Sequence, residues 1–206
     1  MVRVRGLLAV GVCVVVLAGC SAQKAEPAGL TASPTPVATA SPTPSPTSTE
    51  VTTTDLSDAE LGIVFVDTPD LTGPAASAHD AVAIFEVEYW RSKTTGGTSP
   101  ALVQFASPEL VRKVEYGVQR NSEDGFGFDG TLRITISDVT IDGGSATASV
   151  CADYSDVLFT TVDGSAPQSF QEIDFPQYER STTRLSTFDD GATWRPEDAT
   201  FEGNSC

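Results

Sequence analysis

Thr131-Leu132-Arg133-Ile134-Thr135-Ile136-Ser137-Asp138-Val139-Thr140-Ile141-Asp142-Gly143-Gly144 is the stretch that decides the fold. Leu132, Ile134 and Ile136 recur with period two, the signature of a strand with one buried face. Val139 and Ile141 continue the alternation on the opposite parity, so a bulge is predicted at Ser137-Asp138, with the strand bending there. Asp142-Gly143-Gly144 then turns the chain into Ala146, Ala148, Val150, Ala152 and Tyr154 on one face and Thr147, Ser149, Cys151 and Asp153 on the other. Further strands are expected at about 157–162, 177–188 and 192–201, turned at Asp163-Gly164 and at Asp189-Asp190-Gly191, with Trp194 and Phe201 as anchors.

Upstream of this stretch the apolar period is helical. After a break at Gly73-Pro74, residues 78–92 place Val82, Phe85 and Tyr89 on one stripe, widened by Ala81, Ile84 and Trp90. Ser99-Pro100 and Ser107-Pro108 each set a capping hydroxyl before a proline at the first helical position, opening two more helices. The second of these buries Leu110, Val111, Val114 and Val118. Ser57-Asp58-Ala59-Glu60 has capping-box spacing, while the run Leu61 to Val66 is also apolar enough for a short strand. Helices first and a bent antiparallel sheet afterwards is an α+β order, with the helices packed on the concave side of the sheet.

The N-terminal region reads differently. Arg3 and Arg5 precede an apolar run from Leu7 to Leu17, too short to span a bilayer and typical of a signal peptide. The run closes on Leu17-Ala18-Gly19-Cys20, which resembles a bacterial lipoprotein cleavage motif. That resemblance implies removal of residues 1–19 by cleavage between Gly19 and Cys20, diacylglycerol on the Cys20 sulfur, and anchoring to the outer face of the cytoplasmic membrane. Residues 20–54 comprise this cysteine and a tract of Ser, Thr, Pro, Ala and Val that buries too little apolar surface to fold, and so serves as a linker. Its 34 residues from Ser21 to Thr54 reach on the order of 100 Å as polyproline helix or ~30 Å as coil. Residues 55–206 form one domain.

Cys13 leaves with the signal and Cys20 carries lipid, so Cys151 and Cys206 remain. In an oxidising compartment they are predicted to pair, closing a loop of 56 residues. The whole chain has a formal net charge of −16; without Arg3 and Arg5, 10 basic residues face 28 acidic ones. Nucleic-acid binding is excluded, since it depends on lysine and arginine displacing counterions. Asn121-Ser122-Glu123-Asp124-Gly125 lacks the alternating ligands of a calcium loop and reads as a solvated turn. One histidine and a committed cysteine pair leave no zinc set, and no Gly-x-Ser-x-Gly elbow accompanies His79. No metal, cofactor or catalytic constellation is expected.

Phe85-Glu86-Val87-Glu88-Tyr89-Trp90, Val150-Cys151-Ala152-Asp153 and Ala192-Thr193-Trp194-Arg195, running on to Cys206, resemble the nuclear transport factor 2-like (SnoaL-like) fold, and more narrowly small actinobacterial lipoproteins that carry it after a stalk. The resemblance spans roughly residues 60–206 and implies a cone-shaped domain. Enzymes of this kind place a carboxylate or histidine deep in the cone, a role for which Asp153, Glu88 and His79 are the candidates. Independently, Tyr178, Arg180 and Arg184 share one strand face, where a phenol and two guanidinium forks suit an anionic ligand or neighbouring carboxylates. Trp90 and Trp194 suit either a pocket wall or the core. The expected function is a non-catalytic envelope module binding a protein or small ligand; the alternative is an anchored enzyme or carrier for an apolar molecule in the cone.

Overall fold

Proline and glycine set the limits of the long helix. In the computed structural model, which describes residues 50–161 and 165–206, α1 runs Gly73–Thr95 with Pro74 in its first turn and Gly96 ending it at φ 70°. Gly73-Pro74 therefore opens the helix instead of separating it from what precedes. Ser99 and Ser107 cap α2 (Pro100–Phe105) and α3 (Pro108–Glu123), their hydroxyls accepting from the amides of Ala101 and Leu110 at 3.2 Å each. Asn121, Ser122 and Glu123 belong to the end of α3, so the turn expected there is confined to Asp124 and Gly125.

The strands are β1 (Ile63–Phe65), β2 (Phe126–Asp142), β3 (Ser145–Thr161), β4 (Gln168–Ser169), β5 (Tyr178–Thr187) and β6 (Trp194–Gly203). Their order is β1-β2-β3-β5-β6, with β4 paired to β3. All neighbours are antiparallel except β1, which runs parallel to β2, so the sheet is mixed and not wholly antiparallel as expected. Asp58 explains why the capping-box reading fails: its carboxylate accepts from the amides of Glu60 and Leu61 in a tight turn that delivers the chain into β1. The β2 bulge lies where predicted, between Ser137 and Thr140, with Asp138 at φ 52°. A second register shift, between Thr131 and Arg133, carries no sequence periodicity to announce it.

Two glycines let three strands close up. A Cβ on Gly62 would lie 2.2 Å from the Gly130 carbonyl oxygen, and one on Gly130 would lie 2.3 Å from that of Asp156. Both residues also have positive φ.

Ala146, Ala148, Val150, Ala152 and Tyr154 of β3 point inward with Leu132, Ile134 and Ile136 of β2, packing against Ala78, Ala81, Val82 and Trp90 of α1. A second cluster joins Phe85 of α1 to Leu102, Leu110, Val111, Val114 and Val118 of α2 and α3. Caught between the two, α1 is buried on several sides. Trp90 and Trp194 are core residues whose indoles donate to the carbonyls of Leu61 and Pro74, each at 3.1 Å. Ile84 and Phe201 depart from expectation: both are exposed, Phe201 by 56%. Residues 52–54, which composition assigns to the linker, are tied to the fold: Thr53 donates its hydroxyl to Pro69 O at 2.6 Å, and the Thr54 amide reaches Asp80.

Cys151 and Cys206 are disulfide-bonded, with Cα atoms 5.9 Å apart. The signal segment, Gly19, Cys20, most of the linker and the turn at Asp163-Gly164 lie outside the described residues. No helix among the described residues is long and apolar enough to cross a membrane.

Candidate functional site

Two adjoining hollows open in the fold, one against the first hydrophobic cluster and a smaller one between the two clusters. A cavity of about 510 Å³ opens beside the hairpin of β2 and β3, and eight of its thirteen lining residues are aromatic. Its walls come from Phe126 and Phe128 at the start of β2, Phe159 late in β3, and Phe170 and Phe175 beyond β4. These rings are braced by one another: Phe126 on Phe159 at 4.5 Å, Phe128 edge-on to Phe159 at 5.7 Å, and Tyr154 stacked on Phe170 at 5.0 Å. No Leu, Ile or Val lines this cavity.

A smaller chamber of about 210 Å³ shares Tyr154, Glu179 and Phe201 with the first and continues between α1, α3 and the sheet. Glu86 lines it. The helical repeat explains why: Glu86 follows Val82 by one turn and precedes Tyr89, Trp90 and Lys93, so it falls within the apolar stripe of α1. Glu179 arrives from β5 by alternation, since it pairs with Ala152 and shares the inward face with Ser181, Thr183 and Leu185. Glu86 is only 7% exposed and has no hydrogen-bond or ion-pair partner among the described residues. Burial, reinforced by repulsion from Glu179 and partly offset by Lys93, pushes its carboxyl up to about 8.

Two neighbours feel the same field. Burial together with Glu179, Tyr89 and Glu86 holds the Tyr154 phenol well above its ordinary value. Burial alone would lower Lys93, but Tyr89, Glu179 and Glu86 outweigh it and raise the ammonium. The Lys93 ammonium stands 5.0 Å from the Tyr89 ring and 5.2 Å from that of Phe128, so a cation already rests against aromatic faces at the cavity wall.

The residues singled out from the sequence are dispersed. Asp153 lies on the outward face and accepts from the Ser155 amide at 2.8 Å. Glu88 holds the Ser99 hydroxyl and the Arg91 Nε, the latter at 3.3 Å. His79 sits in the second turn of α1, 1% exposed, with Nδ1 3.1 Å from Asp80 Oδ1, away from both cavities. None of these three lines the hollow. Tyr178, Arg180 and Arg184 do share a strand face, yet their roles separate. Tyr178 borders the cavity mouth, Arg180 donates to the Cys206 carbonyl at 3.1 Å, and Arg184 pairs with Asp198 at 3.1 Å. Among the described residues no cluster of three or more potential metal ligands occurs.

The acids that line the hollows are Glu179, shared by both, and Glu86 in the smaller chamber, neither of them among the residues singled out from the sequence. For Glu86 the signal was present as an acidic residue in phase with Val82, Tyr89 and Trp90. No family model matches the chain, and no curated protein matches it. Among solved structures, the intermembrane space region of the chloroplast protein ARC6 aligns with a TM-score of 0.44 at 12% identity, covering 62% of this chain and 95% of that one.

Proposed function

We propose that this chain is an extracytoplasmic lipoprotein, anchored through Cys20 to the outer face of the cytoplasmic membrane, whose cone-like domain of the nuclear transport factor 2-like kind binds a small molecule with a largely apolar body. The observation that carries the ligand-binding reading is the aromatic cavity of about 510 Å³ beside the β2–β3 hairpin. Cavities of this size, apolar with a few convergent polar groups, are the usual form of a small-molecule site. A partner protein as the main target has less support, because the inward surface is hollow where a purely structural core would be packed.

The test is titration with Nile red, a neutral dye whose emission shifts on entering an apolar site. Saturable, one-to-one binding that weakens in Phe128→Ala and Phe170→Ala is the expected result. Absence of saturable binding to the folded chain would remove the ligand-binding reading.

A second reading, an anchored enzyme, is favoured by one observation. Glu86 is a buried carboxyl in a cavity with its proton affinity raised toward neutral pH, the property a general acid or base requires. Turnover abolished by Glu86→Gln would distinguish it from a carrier.

A further inference from the structure

The polar end of the cavity has an imbalance that the apolar walls do not explain. Two carboxylates, Glu86 and Glu179, line the 210 Å³ chamber, and neither has a lysine or arginine within ion-pair distance among the described residues. The lysine on the same chamber wall, Lys113, is committed elsewhere, its ammonium 2.6 Å from Asp198. Lys93, on the wall of the outer cavity, leans on the Tyr89 and Phe128 rings instead of closing on either acid. Glu86 is more than nine-tenths buried and unpartnered, facing open volume. A buried carboxyl left in that state is costly, and natural interiors retain one chiefly where something else completes it.

The wall chemistry is consistent with the same missing partner. Aromatic faces carry negative potential and attract organic cations, most strongly where water is excluded. Aliphatic chains gain nothing special from a wall of phenyl rings, whereas a planar ring stacks on it and a substituted ammonium is attracted to it.

Building on the ligand-binding reading above, we infer that the natural ligand is an organic cation, an amine or substituted ammonium on an aromatic or otherwise apolar body, with its charged end received between Glu86 and Glu179 and its body held by Phe128, Phe159 and Phe170. A cation in the chamber offsets the repulsion that Glu179 exerts on an ionised Glu86. Glu86 then gives up its proton, so binding near neutral pH releases up to one proton to solvent. The groups that set this exchange are Tyr89 and Lys93 on α1, Lys113 on α3, Tyr154 on β3 and Glu179 on β5.

Three probes with one body separate the possibilities: 2-phenylethylamine, 2-phenylethanol and 3-phenylpropionate, titrated calorimetrically into the full chain at pH 7 in two buffers of different ionisation heat. The amine is expected to bind at least ten-fold tighter than the other two, with proton release seen for the amine alone. Glu86→Gln should weaken the amine ten-fold or more and leave the alcohol unchanged. Glu179→Gln should act in the same direction and serves as the second variant if the first folds poorly. Equal binding of alcohol and amine, or preference for the carboxylate, would overturn the cation assignment while leaving the cavity reading in place. Binding of none of the three, with Nile red also excluded, would overturn both.

Discussion

Cys206, the last residue of the chain, is bonded to Cys151 at the centre of β3, and the Arg180 side chain opposite Cys151 holds the Cys206 carbonyl. The link spans 55 positions and pins the segment that carries Phe201 and Asn204, both of which border the cavity mouth. Loop-closure entropy for a loop of this length puts its contribution at about 4 kcal/mol before native-state strain is subtracted. Cys151→Ser with Cys206→Ser should lower the urea midpoint accordingly and weaken Nile red binding by loosening the mouth. Mass spectrometry without reductant should find the two cysteines joined, and free thiols on both would contradict the pairing.

Glu86 gives a pH signature of defined sign. Its carboxyl takes up a proton near 8 in the folded state against 4.5 as the reference value. The native state therefore binds more protons than the unfolded one between these limits, and stability falls as pH rises through that window. The full effect is on the order of 5 kcal/mol. Glu86→Gln should flatten the decline, giving a variant more stable than the parent at pH 8 and little changed at pH 4. Parallel pH profiles of the two proteins in urea unfolding would refute this.

Gly130 is sterically irreplaceable. A methyl group there meets the Asp156 carbonyl while the backbone holds φ +90°. Gly130→Ala should cost on the order of 3 kcal/mol or more. Gly144→Ala, whose nearest neighbour would be 3.8 Å away at Thr187 O, should stay within about 0.5 kcal/mol of the parent. Comparable losses in both would show that the close approach of β2 to β3 is not what matters.

The anchor is tested on Cys20 itself. Metabolic labelling with a fatty acid should mark the parent, and Cys20→Ala should lose the label and its membrane retention. Unchanged retention of the variant would rule the anchor out.

Much of this architecture was legible because it rests on period and capping. Leu132 to Ile141 reveal both the strand and its bulge, the Ser-Pro pairs mark α2 and α3, and Cys151 and Cys206 follow from parity and elimination. What escaped needs the third dimension. The parallel pairing of β1 depends on a glycine contact between residues 62 and 130, far apart in sequence. The place of Glu86 in phase with Val82, Tyr89 and Trp90 is visible in the sequence, but that this position faces open volume is not. Phe126, Phe159 and Phe170 are far apart along the chain, and only the β2–β3 hairpin and the segment after β4 bring them together. Phe201 continues the apolar pattern of β6 in the sequence, yet in the fold it is exposed and lines the cavity.

The outermost strands offer poor purchase to a second molecule. β1 provides three residues, and β6 is interrupted by Pro196 beside an irregular register opposite Arg184 and Leu185. Long, regular borders with free amides invite copies of a protein to add to one another in ribbons, and short or broken borders deny them a template. A sheet finished in this way should remain monodisperse even when many copies are crowded together, so light scattering at high concentration should show little self-association.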